Sequence, residues 1–363
     1  MAEQKTARPT DRLAFIDWTR GLAAVIMLQG HTFHSFTRPE LRDKDPYTLS
    51  QFVGGLPPAI FLLLTGITFA FLMDSQETKG ASTRARIIAA LKRSRYLFVL
   101  AFLFRLQLYV FGYPTSPASE LLRVDILNCM GMAMLIFAPM AVFSTIERVR
   151  LCTVLGMVIA ALSPVVRTID FSGAPAFLTA YFVPSYAGFP FFPWAAFLAF
   201  GMVMGSVIRL AKPEQLEKVM GWTLGVGVAL TMAAYQLANL PYSVYSKVDF
   251  WLDSPALTAF KLGLVLCILS IAYLWMKTGV VRWSLCRQLG VTSLLVYWVH
   301  IELVYGRWFG VFKEKLDVSQ VVTFTLLLIG LMAFLSVLRT RRRSLPARIP
   351  APAPVQAGSP SGG

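Results

Sequence analysis

The chain has 363 residues, of which 56% are hydrophobic and only 15% are charged, and its formal net charge is +15. Soluble domains carry about 25% charged residues, so this composition excludes an ordinary soluble domain and is typical of a polytopic membrane protein. The positive charge does not require nucleic acid as a partner, because membrane proteins concentrate lysine and arginine on their cytoplasmic side.

Ten apolar segments follow one another along the chain, and most are long enough to cross about 30 Å of hydrocarbon. They are 13–34, 51–73, 95–112, 124–143, 151–166, 192–210, 219–240, 259–277, 288–306 and 318–339. If the N-terminus is cytoplasmic, the cytoplasmic side carries about twice as many basic residues as the other side, as the positive-inside rule requires. We therefore expect an all-α polytopic membrane protein with about ten transmembrane helices and both termini in the cytoplasm.

The two ends of the chain differ in composition from its centre. Residues 1–11 are polar and predict a cytoplasmic N-terminal tail, 12–340 form one membrane domain, and 341–363, rich in Pro, Ala, Gly and Ser, predict a disordered cytoplasmic C-terminal tail. The first apolar segment contains charged residues and lacks a small-residue cleavage site, which argues against a cleavable signal peptide. The aromatic connection at about 167–191 fits either an interfacial belt or a lid over a pocket.

Arg20 and His31 both lie inside the first apolar segment. Ionisable groups within a membrane span are costly and usually mark a functional path. Eleven residues of α-helix come within about 20° of three full turns, so the two residues share one helix face and lie roughly 16 Å apart along the axis. Asp17 precedes Arg20 by three residues on that face, where it can hold the guanidinium in place. This pattern predicts a fixed cation near one membrane surface and an imidazole near the other.

The predicted topology brings further polar side chains to the depth of His31. These are His34, Arg123, Asp125, Asn128, Trp194, His300 and Glu302. A structural role is open for each, since membrane histidines often form interhelical hydrogen bonds and Arg123 can simply pair with Asp125. Arg105, near the middle of the third segment, needs an anionic partner or a water-filled cavity, which favours an ion pair or a ligand path over catalysis.

The residue types in this group indicate acyl transfer chemistry. A neutral imidazole can accept the proton of a hydroxyl or amine that attacks an acyl carbon, or it can take the acyl group itself. A carboxylate from Asp125 or Glu302 could hold the tautomer of His31, and an arginine can bind the phosphates or carbonyls of a long donor. Motifs for nucleotide hydrolysis, for dinucleotide redox chemistry and for metal ligation are absent from the sequence, and its four cysteines include no CxxC pair.

Four stretches of the chain resemble transmembrane acyltransferases. RLAFIDWTRGLAAVIMLQGH (12–31), with its R-x10-H spacing, is similar to the opening helix of acyltransferase family 3. LRVDILNCMGMAMLI (122–136), FPWAAFLAFGMVMG (192–205) and GVTSLLVYWVHIELVYG (290–306) resemble bacterial proteins similar to heparan-alpha-glucosaminide N-acetyltransferase. The resemblance implies a bundle of about ten helices that moves an acyl group, often acetyl, from cytoplasmic acyl-CoA to an acceptor on the far side.

The resemblance also implies roles for single residues. Arg20 corresponds to the arginine that engages the donor and His31 to the catalytic base or acyl relay, although in the eukaryotic enzyme the catalytic histidine lies later, which leaves His34 or a loop residue as alternatives. Together with the predicted depths, this gives three sets of site residues and no metal site. The predicted catalytic set is His31, Asp125, His300 and Glu302. The predicted donor-binding set is Arg20, Asp17 and Arg105, and the predicted acceptor-binding set is His34, Arg123, Asn128 and Trp194.

These observations predict an acyl-CoA-dependent O- or N-acyltransferase of a bacterial cytoplasmic (inner) membrane. The predicted donor is acetyl-CoA or another acyl-CoA, the acceptor is a sugar, a glycan or a lipid-linked sugar, and membrane lipid surrounds the protein; a homodimer is left open. The alternative is a proton-coupled secondary transporter, since intramembrane Arg, His and Asp can form a proton relay. A structural or assembly factor for envelope glycans would not need Arg20 and His31 on one helix face.

Overall fold

The computed structural model describes residues 13–114, 116–278 and 284–344. Within these ranges the chain forms thirteen α-helices and no strand, only one isolated bridge between Thr37 and Leu316. The predicted tails, 1–11 and the part of 341–363 after Ser344, lie outside the described residues. The helices are α1 (Ala14–Phe36), α2 (Tyr47–Gly54), α3 (Pro57–Thr78), α4 (Thr83–Gly112), α5 (Ile126–Phe137), α6 (Thr145–Thr168), α7 (Ala176–Phe182), α8 (Phe191–Leu210), α9 (Leu216–Ala238), α10 (Pro255–Lys277), α11 (Leu285–Val291), α12 (Ser293–Tyr305) and α13 (Val318–Ser344).

Every apolar segment of the sequence is helical, but several are not single straight helices. The segment 51–73 covers the end of α2 and most of α3, 124–143 covers α5 and a 3-10 turn, and 288–306 is divided into α11 and α12 at Thr292.

Six parts of the described chain can span a membrane by length and hydropathy, which makes this a multi-pass membrane protein. The count of ten spans is not confirmed. The six are Tyr47–Thr78, Ala118–Val142, Thr145–Thr168, Phe191–Leu210, Pro255–Lys277 and Val318–Arg341.

Glycines allow the helix backbones to approach closely at two crossings. A Cβ atom placed on Gly66 of α3 would lie 2.1 Å from the carbonyl oxygen of Leu198 in α8. A Cβ atom on Gly290 of α11 would lie 1.8 Å from the carbonyl oxygen of Asp17 in α1. Small residues are the usual means of packing helices in membranes, where burial of apolar surface gives no advantage over lipid. These crossings fix α3 against α8 and α11 against α1.

The connections between helices gather at two ends of the bundle. The end at which α1 finishes, after His31, is called the histidine end; there Arg42 pairs with Glu314 at 2.9 Å and the bridge of Thr37 joins the same two loops. At the opposite end, called the arginine end, ion pairs join helix termini. These pairs are Asp74 with Arg209, Glu77 with Arg148 and Glu217 with Lys277.

Candidate active site

A cavity of about 890 Å³ lies at the histidine end and is called the histidine cavity. Its volume falls within the roughly 300–1,000 Å³ of typical small-molecule sites. Residues from α1 to α5, α8, α10 and α12 form its wall, together with the loops around 116–125 and 306–317. The predicted site residues that line it are His31, His34, Arg105, Arg123, Asp125, Trp194 and Glu302.

His31 and His300 form a pair at this cavity. Nδ1 of His31 lies 2.9 Å from Nε2 of His300, and the two rings are stacked, with centroids 5.2 Å apart and planes 15° from parallel. His300 is fully buried, and its Nδ1 lies 2.7 Å from the carbonyl oxygen of Val296 one turn earlier in α12. The edge of the Tyr305 ring covers another side of His31, with centroids 5.3 Å apart.

The hydrogen bonds of this pair determine which nitrogen atoms carry protons when both rings are neutral. The carbonyl of Val296 can only accept, so Nδ1 of His300 carries the proton and donates to it. Nε2 of His300 is then an acceptor, and Nδ1 of His31 must donate to it. His31 is left with its lone pair on Nε2, while its ring borders the cavity. An imidazole in this tautomer can act as a base or as a nucleophile at Nε2.

Hydrogen bonds between helices hold α1 in register with its neighbours around His31. Ser35 donates to the carbonyl of Val304 in α12 at 2.9 Å. One turn earlier, the hydroxyl of Thr32 lies 2.6 Å from that of Thr325 in α13. All of these polar groups are buried. Single serines and threonines in apolar segments form no sequence pattern, which is why these positioning contacts were not predicted.

The two carboxylates of the predicted catalytic set do not contact His31, although both line the cavity in the described part of the chain. Asp125 accepts hydrogen bonds from the backbone N–H groups of Leu127 and Asn128 and so caps the start of α5. Glu302 accepts from the indole N–H of Trp308 at 3.0 Å and from the side-chain amide of Gln107. The expectation that a carboxylate holds the tautomer of His31 is thus corrected: His300 occupies that position.

Arg105 has the anionic partners that its place in an apolar segment requires. Its guanidinium lies 3.4 Å from Asp125 and 3.7 Å from Glu120, and it also borders the cavity. Arg123 pairs with Glu120 at 3.5 Å and donates to the carbonyl of Ala187. The suggested pair between Arg123 and Asp125 is therefore replaced by pairs of both arginines with Glu120.

Arg20 lies near the other end of α1 and does not line the histidine cavity. Its guanidinium is 2.9 Å from the carboxylate of Asp17, as the spacing of three residues predicted. Eleven residues of helix separate it from His31, which corresponds to roughly 16 Å along the axis. The shared helix face therefore connects an ion pair at the arginine end with the histidine pair at the other.

Residues 12–237 match the family model described as heparan-alpha-glucosaminide N-acetyltransferase, catalytic. The chain belongs to this family. The match covers more than half of the chain, from α1 to α9, and the family implies a membrane acetyltransferase. No curated protein matches the chain. His31 and Asp125 lie inside the matched range of this N-acetyltransferase family, whereas His300 and Glu302 lie beyond it.

The acceptor-binding set is only partly assembled at the cavity of this family member. Asn128 does not line it: its amide donates to the hydroxyl of Tyr181 at 2.9 Å, and burial raises the pKa of that phenol. His34 lines the cavity but is exposed, with Nδ1 3.4 Å from the hydroxyl of Tyr305. Trp194 presents its ring to Lys261, whose Nζ lies 5.1 Å from the ring centroid.

Lys261 and Tyr305 line the cavity and were not predicted. Lys261 could have been found, because it is a charged residue near the start of the apolar segment 259–277. Tyr305 gives no such signal, since tyrosine is common where a helix leaves the membrane. Among the described residues, no group of three or more His, Cys, Asp or Glu side chains could hold a metal ion.

Proposed function

We propose that this chain is an integral-membrane acetyltransferase that transfers the acetyl group of acetyl-CoA to the amine or hydroxyl of a sugar-type acceptor. The observation that carries the proposal is the His31–His300 pair at the wall of a ligand-sized cavity. Membership of the N-acetyltransferase family supports the type of reaction. The acceptor, an isolated sugar, a glycan or a lipid-linked sugar, would enter from the loops at the histidine end.

His31 is assigned the role of general base. Its Nε2 takes the proton from the acceptor nitrogen or oxygen as that atom attacks the acetyl carbonyl carbon. The bond from this carbon to the sulfur of CoA then breaks, and the thiolate leaves with the proton held by the imidazolium. The same lone pair would serve if Nε2 attacked the acetyl group first and formed an acyl-histidine. His300 accepts from Nδ1 throughout and keeps the reactive lone pair on Nε2.

Arg20 is assigned to donor binding at the arginine end. Its pairing with Asp17 orients the guanidinium and leaves donor groups for a phosphate or carbonyl oxygen. A long acyl-CoA would then reach along α1 toward His31. Arg105 is reassigned from donor binding to the positioning of Asp125, because two carboxylates already offset its charge.

The orientation follows from the distribution of basic residues. The loop between α3 and α4 and the start of α4 lie at the arginine end and are rich in lysine and arginine. The positive-inside rule assigns this end to the cytoplasm, where acyl-CoA is available, and assigns the histidine end to the opposite side of a bacterial inner membrane. The acetyl group would therefore cross most of the bilayer within the protein.

The test uses the purified full chain in nanodiscs. Binding of acetyl-CoA is measured by calorimetry and release of CoA by a thiol assay, for the wild type, His31→Ala and His34→Ala. We expect binding by all three proteins, and CoA release that His31→Ala abolishes and His34→Ala retains. If His34→Ala alone abolishes release, the base is His34. If the folded wild type binds neither acetyl-CoA nor longer acyl-CoAs, the proposal fails and a transporter becomes the better interpretation.

A further inference from the structure

The wall of the histidine cavity carries more positive than negative charge. Five cationic side chains line it against three carboxylates, with the histidines counted as neutral. The cations are Arg105, Arg123, Lys261, Arg307 and Lys313, and the carboxylates are Glu120, Asp125 and Glu302. A cleft with low-dielectric walls focuses the electric field of its charges, so this excess positive charge attracts an anionic ligand more strongly than it would at a flat surface.

The three carboxylates are all engaged by other groups. Asp125 pairs with Arg105, Glu120 pairs with Arg105 and Arg123, and Glu302 accepts from Trp308 and Gln107. Lys313 donates to the carbonyl of Tyr305, and Arg307 lies over the ring of Trp308. Among the described residues, none of the three carboxylates forms an ion pair with Lys261.

Lys261 lies in the membrane-spanning part of α10 and has no polar partner among the described residues. Its Nζ lies over the ring of Trp194, 5.1 Å from the centroid. A methyl group at Gly55, just before α3 begins, would lie 3.6 Å from this Nζ. Gly55 also caps the C-terminal end of α2, so the negative partial charge of that end and the positive partial charge at the start of α3 oppose each other near Lys261. A cation in such a place costs free energy unless a counter-ion accompanies it.

We propose that Lys261 and the ring of Trp194 form a subsite for an anionic group, a carboxylate, phosphate or sulfate, on the ligand of the histidine cavity. Trp194 fixes the ammonium by a cation–π contact, and the apolar ring lets the ammonium approach the anion without competing water. The remaining cavity volume accommodates the sugar to which this group is attached. The identification of that sugar as the acetyl acceptor rests on the proposed function, but the subsite itself does not.

Direct binding tests the subsite on the full chain in phosphatidylcholine nanodiscs. Glucuronate and glucose 6-phosphate are titrated against glucose by calorimetry, with the wild type, Lys261→Met and Lys261→Arg. We expect at least one anionic sugar to bind the wild type roughly tenfold more tightly than glucose, since hydrogen bonds to charged groups contribute that much. Lys261→Met should lose this preference, and Lys261→Arg should retain it. Lys218→Met, at an exposed lysine of α9, is the matched control.

A labelling experiment does not depend on whether the Lys261 variants fold. The wild type is treated with an amine-reactive reagent, and modification of Lys261 is measured by mass spectrometry with and without each sugar. We expect the preferred anionic sugar to protect Lys261 and glucose to leave it reactive. Protection by phosphatidylglycerol in the nanodisc, and by no sugar, would assign the subsite to a lipid headgroup and overturn the proposal.

The outcomes separate this inference from the proposed function. Equal affinity for charged and neutral sugars, absence of anion binding, or an unchanged preference in Lys261→Met each overturns the subsite, whether or not CoA is released. Conversely, Lys261-dependent anion binding by a protein that binds no acyl-CoA supports the subsite and refutes the acetyltransferase.

Discussion

Nδ1 of His31 lies 2.9 Å from Nε2 of His300, and the second ring is anchored in turn to the carbonyl of Val296. The carbonyl of Val296 can only accept, so Nδ1 of His300 carries a proton and donates to it. Nε2 of His300 then accepts from Nδ1 of His31, which also carries a proton. The buried histidine therefore orients the ring at the cavity without competing for substrate. In the proposed mechanism His300 has the task that a carboxylate has in many hydrolytic triads.

Replacement of His31 should slow acetyl transfer strongly. His31→Ala removes the base, and general base catalysis contributes roughly 10²–10⁴-fold, so we expect kcat to fall by that factor. The affinity for acetyl-CoA should change little, because Arg20, the residue proposed to bind the donor, lies at the other end of α1. Single-turnover CoA release and calorimetry measure the two quantities. Transfer at the wild-type rate by His31→Ala would exclude the role assigned to this residue.

Replacement of His300 should show whether it positions His31. His300→Gln keeps a carbonyl acceptor for Nδ1 of His31, whereas His300→Leu has none and leaves the tautomer undetermined. A wrong tautomer can cost several orders of magnitude in kcat, so we expect roughly a hundredfold loss in His300→Leu and a smaller loss in His300→Gln. The KM for acetyl-CoA should be unchanged, and the pH–rate profile should move only in His300→Leu. Equal losses in kcat and in melting temperature for both variants would indicate a purely structural role.

The sequence predicted the helices and the depth of the site better than it predicted contacts within the site. Apolar length defined the helical segments, and the three-residue spacing of Asp17 and Arg20 predicted their ion pair, because both features are local. Alternation of helix direction placed His31 and Trp194 at one cavity. Which side chain faces which depends on the rotation of each helix, and glycine contacts such as that of Gly290 with α1 set this rotation.

The break between α11 and α12 illustrates the same limit. The segment 288–306 is continuous in hydrophobicity, but its helix is interrupted at Thr292, whose hydroxyl lies 2.5 Å from that of Ser336 in α13. This tertiary contact joins the break to α13, at the start of the helix that carries His300. Sequence periodicity contains no information about a partner 44 residues away.

Close packing of α3 and α8 predicts a large effect from one methyl group. In Gly66→Ala the new Cβ atom would lie 2.1 Å from the carbonyl oxygen of Leu198, so two backbones must separate. Overpacking of this kind costs about 1–3 kcal/mol or more, and we expect a clearly lower melting temperature. Gly221→Ala in α9 is the matched control, because nothing lies within 4 Å of its Cβ atom. An equal melting temperature for both variants would contradict the tight crossing.

The pair of Asp125 and Arg105 combines a helix cap with a buried charge, and two substitutions separate these roles. Asp125→Asn can still cap α5 but loses the charge that faces Arg105, whereas Asp125→Ala loses both. Loss of one partner of a buried ion pair costs about 3–5 kcal/mol, partly relieved here by Glu120. We expect stability in denaturant to decrease from the wild type to Asp125→Asn to Asp125→Ala. If Asp125→Ala were more stable than the wild type, the ion pair of Asp125 and Arg105 would contribute nothing to stability.

Asp317, just before α13, should give the histidine end a weak dependence on acid. Its carboxylate accepts from the backbone N–H of Gln320 at 2.9 Å, and this hydrogen bond lowers the pKa of Asp317 below its usual value. Because the pKa of Asp317 is lower in the folded state, its charged form stabilises the folded protein at pH values above the unfolded pKa of about 3.9. This contribution is lost as the pH falls through the pKa of Asp317 in the folded protein.

Two variants test this cap. Asp317→Asn keeps an acceptor for the N–H of Gln320 and cannot titrate, whereas Asp317→Ala removes the acceptor. At neutral pH we expect melting temperatures in the order wild type, Asp317→Asn, Asp317→Ala, with small differences because the carboxylate is exposed and screened by salt. In a series of melts from neutral pH to below about pH 4, the difference between the wild type and Asp317→Asn should shrink on the acid side. A difference that is constant or grows toward acid would mean that the hydrogen bond to Gln320 does not stabilise the charged carboxylate.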